Sequence, residues 1–191
     1  MQYSRFSIQG PVLVTPTRHG DARGWFAETF RLREFRDEVA DVLFVQDNLS
    51  LSVEAGTVRG LHYQSPPRAQ GKLVGVVRGA VTDVAVDARR GSPTYGQHIA
   101  VKLSADTGAQ LWVPEGFLHG FATLAPDTVV TYKVTDTYAP DCDGSVAWDD
   151  PALGIDWGLE PGSEVVSGRD RAAPRWAEWS SPFVATSPVP G

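Results

Sequence analysis

Only one cysteine, Cys142, occurs among the 191 residues. The chain therefore closes no internal disulfide and has no thiolate cluster for zinc. Lysine is scarce too, three against fourteen arginines. No basic run stands out, and the net charge is -6 at a pI near 5.1. Both facts argue against a sequence-independent nucleic-acid binder, whose affinity comes from a basic stripe. No apolar run approaches the ~18 residues of a membrane span. The segment Met1–Gly10 lacks the apolar core of a signal peptide, so the expected compartment is the cytoplasm. Helical periodicity is nearly missing as well. Leu32, Phe35 and Val39 give one short helix over 31–39,.

What the chain does have is turns and short β-rich runs. Nineteen glycines and fourteen prolines punctuate segments rich in Val, Thr, Tyr and Phe. Strands are expected at 12–15, 25–30, 42–47, 50–54, 57–63, 72–78, 80–87, 97–103, 109–113, 117–124 and 128–135, with His19-Gly20-Asp21 as a turn. Strands at about 8–12-residue spacing suggest an antiparallel sandwich or barrel. At 42% hydrophobic and 21% charged, the chain can bury one full core. No repeat or linker divides it, so 1–191 reads as one domain. Beyond Ala139 it turns rich in Pro, Gly, Asp and Trp. There Asp149–Gly154 reads as a capped single turn stopped by glycine, and the tail 176–191 is expected to be partly loose.

Two stretches share a logic. Gly56 is followed after five residues by His62-Tyr63-Gln64, and Gly108 after five by Pro114-Glu115-Gly116-Phe117-Leu118-His119. The second fits the Gly-x5-Pro-x-Gly-x2-His pattern of the cupin superfamily, with Thr123 in place of its Asn. The first is partial. Where metal-binding cupins have a second His the chain has Gln64, and no Glu lies between Gln64 and Glu115. A first-row metal wants three or four imidazole or carboxylate ligands. Of His19, His62, His98 and His119, only His62 and His119 sit at ligand positions. The reading is an all-β, antiparallel jelly-roll (cupin-like double-stranded β-helix) barrel with a few short helices and no metal.

A more specific resemblance follows from an ordered series. It runs through Arg23-Gly24-Trp25-Phe26-Ala27-Glu28, Gln46-Asp47-Asn48-Leu49-Ser50, Val58-Arg59-Gly60-Leu61-His62-Tyr63-Gln64, Gly71-Lys72-Leu73-Val74 and Asp83-Val84-Ala85-Val86-Asp87. It continues through Gly91–Gly96, Pro114–Phe121, Tyr132, Tyr138, Trp148-Asp149-Asp150-Pro151 and Ser167-Gly168-Arg169-Asp170. Over about residues 10 to 175 the chain resembles the dTDP-4-dehydrorhamnose 3,5-epimerase family. The resemblance implies a jelly roll, a homodimer whose N-terminal strands join the partner's sheet, no cofactor and no metal. It implies dTDP-4-dehydro-6-deoxy-D-glucose as substrate, epimerised at C3 and C5 to dTDP-4-dehydro-L-rhamnose.

That chemistry needs a base on one face of the sugar, an acid on the other, and a group to hold the enolate oxygen. His62 is the candidate base, since imidazole titrates near pH ~6.5. By resemblance Asp170 stands behind it, where a carboxylate fixes the tautomer; taken alone, Asp170 reads as a solvated tail carboxylate. Tyr132 shares a strand face with Val130 and Val134, and the resemblance makes it the acid. Lys72 shares parity with Val74 and Val76. A buried lysine is costly without an anionic partner, and a developing enolate is one. His119 is a second donor candidate, and Asp83 an inward carboxylate expected to pair with Lys72. For the nucleotide, the resemblance implies Arg59 and Arg169 on the diphosphate and Arg23 as a further contact. It adds Glu28, Gln46 and Asn48 as polar contacts, Phe26 as an aromatic one and Tyr138 stacked on thymine. Asp143 stands where the family has Glu, and Arg169 where Lys is more usual. Arg59 and His62 have opposite parity along 57–63, so both reach one pocket only if the strand bulges, with Gly60 the place for it. The competing readings are a mono-epimerase of the same family, a dTDP-sugar ketoisomerase or metal-dependent cupin oxygenase, and a non-catalytic nucleotide-sugar binding module.

Overall fold

A computed structural model describes residues 1–185. In chain order the strands are β1 (Gln2–Arg5), β2 (Val12–Thr15), β3 (Arg18–Asp21), β4 (Gly24–Ala27), β5 (Gln46–Ser52), β6 (Thr57–Gln64) and β7 (Lys72–Arg78). They continue as β8 (Ala80–Asp87), β9 (His98–Ser104), β10 (Gln110–Val113), β11 (Phe117–Thr123), β12 (Thr128–Val134), β13 (Asp143–Ser145) and β14 (Val165–Val166). Two short helices are α1 (Leu32–Glu38) and α2 (Gly168–Arg171), with a 3-10 turn at Pro140–Cys142. Among the described residues no helix is long and apolar enough to cross a membrane.

One sheet runs β1-β2-β10-β7-β12-β5 and the other β13-β6-β11-β8-β9, with β14 added parallel to β6. Apart from β14, every pairing within the two sheets is antiparallel. Consecutive strands largely fall in opposite sheets, the mark of the jelly roll that the spacing suggested.

Side-chain parity explains the layers. The inward set of both sheets meets in one core that includes Val74, Val76, Val130, Val81, Ala85, Leu103 and Phe121. The opposite faces are covered as well. Leu73, Val12, Val14 and Trp112 lie under Phe35 of α1, while Val58, Val84, Val86 and Leu118 lie under Leu153, Trp157 and Phe183. Strands buried on both faces lose the apolar–polar alternation of a half-buried sheet. That is why β11, Phe-Leu-His-Gly-Phe-Ala-Thr, is buried throughout.

Several expectations need correction. The expected strands 42–47 and 50–54 are one strand, Gln46–Ser52. Val42 and Phe44 instead pack irregularly beside α1. His19-Gly20-Asp21 is no turn but most of β3, paired with β4 as a separate hairpin, and the strand expected at 25–30 ends at Ala27. The tail also departs from expectation over residues 176–185. Trp176, Trp179 and Phe183 cover the second sheet, and Arg90 bridges Val184. Phe183 is buried and Trp176 and Trp179 are half-buried; a fully buried side chain of this kind contributes roughly 1.5–3 kcal/mol and a half-buried one part of that, which favours order in a segment whose Pro and Ser content reads as loose. The rest of the expected loose tail, 186–191, lies outside the described residues. The capped turn is present: Asp150 Oδ1 accepts the Ala152 N–H at 2.9 Å, and Gly154 adopts φ 58°.

Candidate active site

Between the sheets lies a cavity of about 240 Å³. From the first sheet come Gln46 and Asn48 on β5, Lys72 on β7 and Tyr132 on β12. From the second come His62, Tyr63 and Gln64 on β6 and Asp143 on β13. Gln70, Tyr138 and Arg169 enter from the flanking segments.

His62 reaches this space because β6 bulges. Its register against β11 shifts between His119 and Phe121, so that His62 faces His119 while Arg59 faces Phe121. One extra residue on β6 restores Arg59 and His62 to the same face, as the parity argument required. Only glycines allow it: a Cβ on Gly60 would meet Gly120 Cα at 2.6 Å, and Gly60 holds φ 144°.

His62 Nε2 lies 2.6 Å from Asp170 Oδ1, and Asp170 is 4% exposed. Although the two are far apart in sequence, α2 delivers the carboxylate. Ser167 caps that helix by accepting the Asp170 N–H at 3.1 Å. Burial pushes the Asp170 carboxyl up. The His62 hydrogen bond and charge, the Ser167 hydroxyl and the Gly60 N–H more than offset this and hold it below the usual carboxylate range. The pair is thus a carboxylate behind an imidazole, with Nδ1 left for other work.

Across the cavity, Lys72 and Tyr132 belong to the first sheet, on the parity that Val74, Val76, Val130 and Val134 share. Burial lowers the Lys72 ammonium from 10.5 to about 8, against the opposing charges of Asp143 and Asp83. Burial raises the Tyr132 hydroxyl, and the Arg59 charge works the other way. The expected Asp83–Lys72 ion pair does not form. Both Asp83 carboxylate oxygens lie 3.1 Å from His119 Nε2. His119, expected as a donor to substrate, is buried on that carboxylate and does not line the cavity.

Four of the expected nucleotide contacts also fall outside the cavity. Arg23 and Phe26 sit on the β3–β4 hairpin, with Arg23 Nη2 2.6 Å from Asp21, and Phe26 is 71% exposed. Glu28 pairs with Arg31 at 2.9 Å. Arg23 and Phe26 belong to a hairpin that forms its own two-stranded sheet, apart from the two sheets that enclose the cavity. Arg59 stops at the rim, donating to Leu51 O at 3.1 Å and Ser52 Oγ at 3.2 Å.

At the mouth, Asp143 holds two expected contacts together. Arg169 Nη1 lies 2.8 Å from Asp143 Oδ2, and the Tyr138 hydroxyl donates to the same oxygen at 3.1 Å. Gln46 is present but engaged, its Nε2 donating to Asn48 Oδ1 at 2.8 Å. Sequence reasoning missed Gln70, Tyr63 and the lining role of Gln64. Their one signal was adjacency to His62 and Lys72, and an amide advertises no particular chemistry. Among the described residues no three His, Cys, Asp or Glu gather as a metal site. The two cupin-position imidazoles each face a carboxylate instead.

The family model for dTDP-4-dehydrorhamnose 3,5-epimerase matches residues 5–178. A curated dTDP-4-dehydrorhamnose 3,5-epimerase from Sinorhizobium fredii is 53% identical over 178 residues, 93% of this chain and 91% of that protein. Among solved structures, the Legionella pneumophila dTDP-6-deoxy-D-glucose-3,5-epimerase RmlC, in complex with dTDP-4-keto-L-rhamnose, is 42% identical. Its TM-score is 0.87, over 91% of this chain and 92% of that one. ChmJ, a 3'-monoepimerase from Streptomyces bikiniensis in complex with dTDP-quinovose, is 35% identical. Its TM-score is 0.83, over 91% of this chain and 87% of that one.

Proposed function

The chain belongs to the dTDP-4-dehydrorhamnose 3,5-epimerase family, and we propose that its cavity inverts C3 and C5 of dTDP-4-dehydro-6-deoxy-D-glucose to give dTDP-4-dehydro-L-rhamnose. The enzyme is an isomerase. The observation that carries the residue roles is the placement of His62, backed by Asp170 of α2, on one sheet and Tyr132 with Lys72 on the other, around one cavity.

The C4 ketone acidifies the neighbouring C–H bonds. His62 removes the C3 or C5 proton through its free nitrogen, and Asp170 stabilises the imidazolium. The electron pair moves into an enolate whose oxygen the Lys72 ammonium holds. Tyr132, on the facing wall, returns a proton to the opposite side of the carbon. Proton exchange with solvent returns His62 to the neutral imidazole and Tyr132 to the hydroxyl; the same steps at the second carbon then complete the change, and product and substrate have the same formula. Arg169, Arg59, Asn48 and Gln46 are the mouth residues offered to the nucleotide, with Tyr138 stacked on the base.

We further propose a homodimer acting in the cytoplasm, each protomer a single domain over 1–191. Strand β5 is a sheet edge, and its outer face presents Leu49 (71% exposed) and Leu51. On the hairpin, Trp25 and Phe26 are exposed as well. Apolar surface of this kind favours a partner, and a second copy would bring Arg23, Phe26 and Glu28 to the neighbouring cavity. Sedimentation should give twice the 20.7 kDa chain mass, and Leu49→Lys should shift it toward the single chain. A wild-type monomer with full activity would remove this part of the reading.

The reaction itself is tested by proton NMR in D2O, with a reductase trapping the product. Deuterium at both C3 and C5 and an L-lyxo product are expected. Label and inversion at one carbon only would make the chain a mono-epimerase. Binding without exchange would leave a nucleotide-sugar binding module.

A further inference from the structure

Three glutamines line the cavity, and all three hydrogen-bond to one stretch of backbone. Gln70 Nε2 donates to Asp136 O at 2.7 Å. Gln64 Nε2 donates to Thr137 O at 3.1 Å and to Arg68 O, while its Oε1 accepts the Ala139 N–H at 2.9 Å. Gln46 Oε1 accepts the Tyr138 N–H at 3.0 Å. The stretch 136–139 belongs to no strand or helix, yet it carries Tyr138 at the mouth.

Gln64 is central to this arrangement. It is 5% exposed and stands two residues from His62, where a metal-binding cupin places a ligand. We propose that Gln64 is a positioning residue for nucleotide recognition: its amide clamps the backbone on both sides of Tyr138 and presets that ring for the base. The inference rests on the reading of Tyr138 as the stacking residue.

The chemistry of the side chain supports it. Irregular backbone beside a cavity needs partners for its N–H and C=O groups. A primary amide offers a donor and an acceptor on one planar head, so it meets Thr137 O and Ala139 N–H together. An ionised carboxylate there has no donor and would set its charge against the carbonyls of Thr137 and Arg68. Imidazole carries its donor and acceptor on separate ring edges. With Nε2 shared by two carbonyls and Oε1 taken, the Gln64 amide is committed to the protein. It acts on the ligand only through the ring it holds, and a ring held before binding loses less freedom on binding.

A double-mutant cycle read by calorimetric titration of dTDP tests this. Tyr138→Ala and Gln64→Met should each weaken dTDP by about tenfold, and the double variant should be no weaker than Tyr138→Ala. The kcat of Gln64→Met at saturating substrate should stay within about twofold of wild type, since a loss confined to binding leaves kcat unchanged. Gln64→Asn, which keeps an uncharged amide but shortens its reach, serves if the methionine variant does not fold, with the same expected pattern. Losses that multiply to about a hundredfold, an unchanged dTDP affinity in Gln64→Met, or a kcat that collapses with the affinity would each overturn the clamp. Wild-type affinity in Tyr138→Ala alone would overturn the stacking reading first, and the clamp with it.

Discussion

Replacing His62 with alanine is expected to slow deuterium incorporation at both C3 and C5 by about 10²–10⁴-fold, the usual worth of a positioned general base. Affinity for dTDP should change little, because the proposed base acts on the sugar carbons rather than on the nucleotide. The argument rests on the bulge at Gly60, which turns His62 into the cavity, and on Asp170, which holds Nε2 at 2.6 Å. With Nε2 engaged, the imidazole has one orientation and one nitrogen to offer. Alanine leaves the Asp170 carboxylate without its ring partner, so the variant should also be less stable. Exchange at the wild-type rate in His62→Ala would place the base elsewhere.

The second large effect is at Lys72, where activity and stability should move in opposite directions. On the proposed mechanism Lys72→Met removes the cation that faces the enolate and should cost about 10²–10³ in kcat. The same change should raise the melting temperature. Burial lowers the folded ammonium from 10.5 to about 8. Below pH 8 the lysine is charged in both states, so the folded state carries the full desolvation cost. Between about 8 and 10.5 the folded lysine loses its proton while the unfolded one keeps it. Stability therefore rises with pH across that window. The gap between about 8 and 10.5 corresponds to roughly 3 kcal/mol against folding at neutral pH,, a cost that methionine avoids. In wild type the kcat/KM should fall as pH rises through about 8, as the ammonium is lost. A flat profile to pH 10, or a methionine variant that is neither slower nor more stable, would refute the role.

Much of this was legible from residue order. The runs from β6 to β12 stand nearly where their Val, Thr and Tyr content put them, because turn glycines bound each one. Parity alone placed Lys72 with Val74 and Val76, and the clash of Arg59 with His62 required the bulge that β6 has. What stayed hidden depends on distant partners. Asp83 faces inward as expected, but sequence could not choose between Lys72 and His119 as its partner. Trp176, Trp179 and Phe183 sit among Pro and Ser, and only the outer face of the second sheet gives them a place to pack. Arg23, Phe26 and Glu28 match the family series residue by residue, yet a linear match does not say which cavity a hairpin serves.

The contact between Arg169 and Asp143 gives the mouth a property that its residue types alone do not suggest. In the proposed binding mode Arg169 would meet an incoming diphosphate already carrying a counterion, one fixed to the chain 2.8 Å away. Binding at this arginine is then an exchange of one anion for another rather than the capture of an anion by a bare cation. Fewer ions from the buffer are released than the charge on the ligand would suggest, because the displaced partner stays tethered. Tyr138 shares the same carboxylate oxygen, so that exchange would also release its hydroxyl. In that binding mode the protein supplies part of its own ionic atmosphere at the entrance, and affinity there should depend less on the salt around it.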